Sequence, residues 1–160
     1  LAIVSDASPT IQDCTLERNL GLFGGGGIYV ENSTPTLSDL TVEKNGGEVG
    51  GGIQFVSSDG SLVDSQIQGN KATRICPCAG NISHTAGGGL FLDSSEPSFQ
   101  VLSVSENQAV YDDESPTAAI YDSFGGGIYF TLCDPNFDYV TLDGNTARIG
   151  SDTYEETGGD

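Results

Sequence analysis

The sequence contains no methionine, no tryptophan and a single histidine, and its five lysines and arginines stand against 23 aspartates and glutamates, a net charge of −18. So large an acidic excess leaves little to neutralise phosphates and repels an anionic lipid surface, which excludes nucleic acid as a partner and argues against membrane binding. No apolar run approaches the roughly 18 residues of a membrane-crossing helix, so no membrane insertion is expected. Cysteine is sparse, four residues in all, and no zinc set can be assembled from them. Cys76 and Cys78 flank a proline with His84 nearby, but zinc cysteines are spaced more widely and a fourth ligand is missing, so no metal site is assigned. The chain opens on Leu1 without a signal-peptide pattern and is read as a mature product or a piece of a longer protein.

Helical periodicity is also missing. What is abundant is glycine, 23 residues, and it is placed with a period. Triplets at Gly25-Gly26-Gly27, Gly50-Gly51-Gly52, Gly87-Gly88-Gly89 and Gly125-Gly126-Gly127 each run into Ile or Leu, and a degenerate fifth copy begins at Gly150. In phase with them an apolar residue is followed three positions later by asparagine, five times: Asn19, Asn45, Asn70, Asn107 and Asn145. The spacings between these asparagines are 26, 25, 37 and 38 residues, a period near 25 with two insertions, 71–86 and 108–124. A repeat this short, with the two-residue alternation of strands, cannot bury its own apolar face and must stack on its neighbours. The expected fold is all-β, a right-handed parallel β-helix of about five rungs forming a single domain over 1–160, with both ends open to further rungs.

Alternation directs Ile28 and Val30, Ile53 and Phe55, Leu90 and Leu92, and Ile128 and Phe130 inward. On the second run the inward files read Ile11, Leu37, Leu62, Phe99, Phe137, then Cys14, Leu40, Ser65, Leu102, Val140, then Leu16, Val42, Ile67, Val104, Leu142. The five asparagines form a structural ladder of side-chain amides, and the glycines mark positive φ or close approach of rungs. The outward file of the glycine-led strand reads Ile3, Tyr29, Gln54, Phe91, Tyr129 and Tyr154. This aromatic stripe is the candidate binding surface, with sheet-stabilising stacking, sugar stacking and a protein interface as its alternative roles.

Both insertions leave the same edge of consecutive rungs, where function collects on a rigid scaffold. The first carries Arg74, His84 and the Cys76/Cys78 pair, for which a disulfide within or from the loop fits an oxidising compartment. Cys14 belongs to the core, and Cys133 lies about 19 Å from it at strand spacing, too far to bridge. The second loop carries Asp112, Asp113, Glu114 and Asp122, carboxylates of the kind used in glycoside hydrolysis or as Ca²⁺ ligands. An acidic run in a chain of net charge −18 is also what a solvated loop looks like. No cofactor is otherwise implied. Asn32 and Asn81 open glycosylation sequons, the first followed by Pro35. Together these features point outside the cell.

The paired GGGI/GGGL and apolar-x-x-Asn blocks resemble the polymorphic outer-membrane-protein type of right-handed parallel β-helix repeat, which pairs GGA[ILV] with FxxN. Glycine replaces the alanine of the first block throughout, and Leu, Val or Ile replaces the phenylalanine of the second. The resemblance implies an extracellular or cell-surface β-helix that serves in adhesion or as a structural spacer, with copies of itself, other β-helix segments and glycans as partners. In architecture the chain is also similar to pectate lyases, polygalacturonases and alginate epimerases, which catalyse on the same strand face. Here that face carries Tyr29, Gln54, Phe91 and Tyr129 rather than acids or bases, so no catalytic residue is assigned and a polysaccharide-degrading enzyme is the lesser alternative. Ice binding is a minor one, because its threonine files are broken: Thr10, Thr36, Ser61, Ser98, Asn136 and Thr15, Thr41, Gln66, Ser103, Thr141.

Overall fold

The computed structural model describes residues 1–22, 24–73, 84–111 and 122–149, and a short strand at Glu155–Glu156. Arg74, Cys76, Cys78, Asn81, Asp112, Asp113, Glu114 and Tyr154 lie outside the described residues. The chain is all-β, and among the described residues every pairing is parallel except the last. Three sheets recur at each repeat. The glycine-led sheet stacks Ala2–Val4, Ile28–Glu31, Ile53–Val56, Leu90–Asp93 and Ile128–Thr131 in that order. A long sheet stacks Thr10–Glu17, Thr36–Glu43, Ser61–Gln68, Ser98–Ser105 and Asn136–Asp143. A short sheet stacks Leu20–Gly21, Gly46–Gly47, Lys71–Thr73, Gln108–Tyr111 and Thr146–Ile149. The result is a solenoid-like coil of parallel strands, each registered on its counterpart one repeat away, as in Ile28 on Ile53 on Leu90 on Ile128.

Register converts the sequence files into core columns. Ile28, Val30, Ile53, Phe55, Leu90, Leu92, Leu37, Leu62, Val42, Ile67 and Val104 are fully buried, and each such side chain contributes about 1.5–3 kcal/mol relative to exposure. Columns thin at the outer rungs, where neighbours exist on one side only. Phe130 and Phe137 are exposed, although Phe137 stacks on Phe99 at 5.2 Å between ring centroids. Cys14 occupies the inward file over Leu40, yet it is exposed rather than a covered core residue. Both Cys14 and Cys133 are free thiols.

Four files of corner residues in the left-handed conformation recur along the coil, with φ from 46° at Ser57 to 62° at Gly87. One file is Asn32, Ser57, Ser94 and Leu132, and another, before the ladder asparagines, is Arg18, Lys44, Gly69, Glu106 and Gly144. A third bends the long strand at its fourth residue: Asp13, Asp39, Asp64, Val101 and Tyr139. The fourth is glycine, at Gly50, Gly87 and Gly125. The first rung departs from the pattern, because Ser5 and Asp6 both have positive φ. The extra residue shifts the strand before it by one, so Ala2 rather than Ile3 pairs with Tyr29. Ile3 therefore turns inward over Val30 and is buried, a correction to its expected outward place.

The asparagines bind rung to rung. Asn45, Asn70 and Asn107 are buried. The Asn45 backbone N–H and Nδ2 both donate to Asn70 Oδ1, at 2.9 and 3.0 Å, and the same pair recurs from Asn19 to Asn45, Asn70 to Asn107 and Asn107 to Asn145. The second Nδ2 proton reaches back to a carbonyl of the preceding rung, Leu16 from Asn45, Val42 from Asn70, Ile67 from Asn107 and Val104 from Asn145, each at 2.9 Å. An interior amide thus satisfies both donor protons and accepts twice, its full capacity. A second ladder uses serine: the N–H of Ser33 donates to Ser58 Oγ, that of Ser58 to Ser95 Oγ and that of Ser95 to Cys133 Sγ. Each Oγ or Sγ in turn donates to the carbonyl two residues before it.

The insertions begin and end as strands. Lys71–Thr73 and Gln108–Tyr111 extend the short sheet, and His84–Ala86 pairs with Asp122–Phe124 in a separate two-stranded sheet. The degenerate fifth copy does not continue the coil in parallel: Glu155–Glu156 runs antiparallel to the edge of Thr146–Ile149.

Replacing Asn70 by Ala strands the Asn45 donors and removes the side-chain donor to the Val42 carbonyl, while Asn107 Oδ1 keeps the bond from the residue 70 backbone N–H, at about 1–3 kcal/mol for each group left buried and unpaired. Replacing Gly88 by Ala drives a Cβ into the Gly126 and Gln108 carbonyls. Both variants are expected to lower the midpoint of denaturant unfolding sharply, whereas Asn19→Ala, on the outermost rung, lowers it least; equal shifts at Asn19 and Asn70 would contradict the ladder's role.

Candidate functional site

The aromatic file runs along the glycine-led sheet. Tyr29, Gln54, Phe91 and Tyr129 stand in register on successive strands. Phe91 and Tyr129 stack at 5.6 Å between centroids, and Phe124 packs on Tyr129 at the same separation. The file is not an open platform. Gln54 and Phe91 are 6% and 8% exposed, and Tyr29 and Tyr129 are half-buried. The cover is the glycine-led turn itself: a Cβ at Gly24 would meet the Tyr29 ring and Gln54 Oε1, and one at Gly125 would meet Tyr129 Cβ. Glycine brings the incoming backbone over the rings, and stacking within the sheet takes up the area that a sugar would need.

Electrostatics at this file are set by one pair. Burial, and after it the carboxylate of Glu31 with its hydrogen bond, holds the Tyr29 phenol above its ordinary value of 10.0. The folded state keeps this proton more tightly than the unfolded chain, so the associated stability is intact below pH about 10 and is lost as pH rises through the folded value.

A buried polar column lies beside the file. The bridge between Val49 and Ala86 places Glu48 next to Thr85, which is registered on Ser123. Thr85 Oγ1 and Ser123 Oγ are hydrogen-bonded at 3.0 Å. Glu48 is 2% exposed, and neither carboxylate oxygen has a hydrogen-bond partner among the described residues; the same holds for Gln54 Oε1. Sequence patterning gave no sign of this residue, because Glu48 falls in a four-residue connection where an acidic side chain reads as solvated. Among the described residues no group of three or more His, Cys, Asp or Glu converges on a metal-sized site.

Two concavities remain. One of 490 Å³ lies against Leu1, Asn19, Leu20 and Tyr29 on the outer side of the first rung, the space a stacked rung occupies elsewhere in the coil. The other, of 290 Å³, is a shallow groove on the outer corner of the long sheet beside Asp64, Val101 and Tyr139. The sequon residue Asn32 sits exposed at a left-handed corner, with the hydroxyl of Thr34 bonded to that of Ser8 at 2.8 Å. His84 and Asp122 open the paired strands that end the two insertions, and their backbones are in register. Comparison with protein-family models, with curated proteins and with solved structures finds no match to this chain.

Two measurements bear on these assignments. Spectrophotometric titration is expected to show one tyrosine ionising above pH 10 in the folded protein, and Glu31→Gln to bring it down; an unchanged titration in the variant would separate the two groups. Glu48→Leu removes a buried unpaired carboxylate and is expected to raise stability by about 1–3 kcal/mol, read as a higher denaturation midpoint. A lower midpoint would show that Glu48 has a partner in the folded state.

Proposed function

We propose that the chain is a length of right-handed parallel β-helix serving as an extracellular structural or adhesive scaffold, and not as an enzyme. The observation that carries this reading is the asparagine ladder running unbroken through five rungs. It commits the repeat's polar residues to holding rungs together, while the outward file that β-helix polysaccharide enzymes use for catalysis holds Tyr29, Gln54, Phe91 and Tyr129 here. The net charge of −18 suits a soluble, mutually repelling surface outside the cell. Rung edges offer the route to longer assemblies: Asn19 Oδ1 faces outward on one side of the coil and the Asn145 N–H on the other, so a further rung from the same chain or another copy would be held by the same bonds.

Electron microscopy with sedimentation over a concentration series tests the scaffold. Rods of constant width, with an axial spacing of about 4.8 Å by fibre diffraction, are the expected outcome, together with no release of products from polygalacturonate or alginate. Compact particles that remain monodisperse, or turnover on either polymer, would overturn the reading.

A further inference from the structure

The third corner file changes character along the coil. Asp13, Asp39 and Asp64 hold it in the lower rungs, and aspartate tolerates the left-handed conformation by bonding locally. In the upper two rungs the same corner is held by Val101 at φ 52° and Tyr139 at φ 54°. A β-branched residue and a large aromatic are poor choices there, and neither gains burial in exchange. Val101 is 50% exposed and Tyr139 is 80% exposed. A missing neighbour does not explain this, because the corner points outward in every rung and Asp64, with rungs on both sides, is exposed as well. Strained backbone of this kind persists where a site needs the side chain in that place.

The side chains around the two residues form an amphipathic groove of 290 Å³, lined by Asp64, Gln66, Val101, Ser103, Tyr139 and Thr141. We propose that this groove binds a neutral sugar unit of a polysaccharide or glycan chain. A pyranose ring presents an apolar C–H face and a rim of hydroxyls. The Tyr139 ring and the Val101 side chain supply the apolar wall, while the Asp64 carboxylate, the Gln66 amide and the Ser103 and Thr141 hydroxyls supply acceptors and donors for the rim. Its volume lies near the small end of the about 300–1,000 Å³ typical of small-molecule sites. Charge selects the sugar: at −18 the chain repels uronates and sulfated glycans. A protein partner would instead anchor the exposed aromatic in a dry, fully desolvated core, and the polar side chains of Asp64, Gln66, Ser103 and Thr141 beside Val101 do not offer one. The proposal rests on the adhesive side of the scaffold reading, and it moves sugar contact from the covered aromatic file to the corner of the long sheet.

Calorimetric titration of the 160-residue chain with cellopentaose, maltopentaose and mannopentaose, and with pentagalacturonate as the charged control, tests the site. At least one neutral oligosaccharide is expected to bind and pentagalacturonate not to bind. Tyr139→Asn should weaken that binding by about tenfold or more, a loss of roughly 1.4 kcal/mol, while Tyr139→Phe retains it. Because asparagine takes the left-handed corner more readily, Tyr139→Asn and Val101→Asn should melt at or above the parent temperature, which separates lost binding from lost fold. The proposal is overturned if none of the neutral sugars binds, if pentagalacturonate binds equally well, if Tyr139→Asn binds as the parent does, or if that variant melts lower. Rods that persist while sugar binding fails would remove this site and leave the scaffold standing.

Discussion

The constraint on which the structure depends is that every turn of the coil must satisfy its buried backbone where it bends. Strands do this for themselves by pairing with the rungs on either side. Corners do so only in part: the Ser57 and Lys44 N–H groups still donate to the Asp93 and Gln68 carbonyls of the next rung, but beside them the chain uses side chains as substitutes for backbone. Asn70 donates to the Val42 carbonyl and to Asn107 while accepting from Asn45, so one amide closes the accounts of three rungs. Ser58 does the same on a smaller scale, accepting from Ser33 and donating to Val56. An unpaired buried amide is expensive, which is why the apolar columns can stack so closely only where these ladders run.

Glycine has the complementary task. At Gly89 an added Cβ would stand 3.0 Å from the Asn107 amide and 2.7 Å from the Gly127 carbonyl, so the side chain that the ladder needs leaves no room for another beside it. Asparagine and glycine are thus parts of one device, in which the missing side chain of one residue makes the space for the amide of the other. The inward file Ala72, Ala109 and Ala147 in the short sheet extends the same economy, forming a small cluster separate from the main core.

Much of this was legible because the ladder and the glycines recur at a fixed period, and period is what a sequence displays best. The parallel stacking, the inward files and the asparagine file all follow from aligning the copies. What was not legible depended on a single residue or on the path of a connection. One additional left-handed residue at Ser5 moved Ile3 from the outer face to the core. The aromatic file looked open because alternation gives a side chain's direction but not what folds over it, and here the glycine turns do. Glu48 had no pattern to betray it. The serine ladder was within reach, since Ser33, Ser58 and Ser95 recur in phase, but its fourth member is Cys133, and a thiol in a hydroxyl's place breaks the file to the eye. The Asp13, Asp39, Asp64 file was equally visible, and its replacement by Val101 and Tyr139 is the departure that the structure turns into a groove.

The asparagine ladder also has a direction. In each step the N–H and Nδ2 lie on the rung nearer Leu1 and the Oδ1 on the rung nearer Ile149. A coil built this way presents different faces at its two ends, and two identical ends set together would place donor against donor or acceptor against acceptor. A twofold-symmetric contact through the rung edges therefore leaves the asparagine ladder mismatched, while a heterologous one continues it. An association that continues the ladder along the axis has no geometric reason to close, and its length must be set by something other than symmetry.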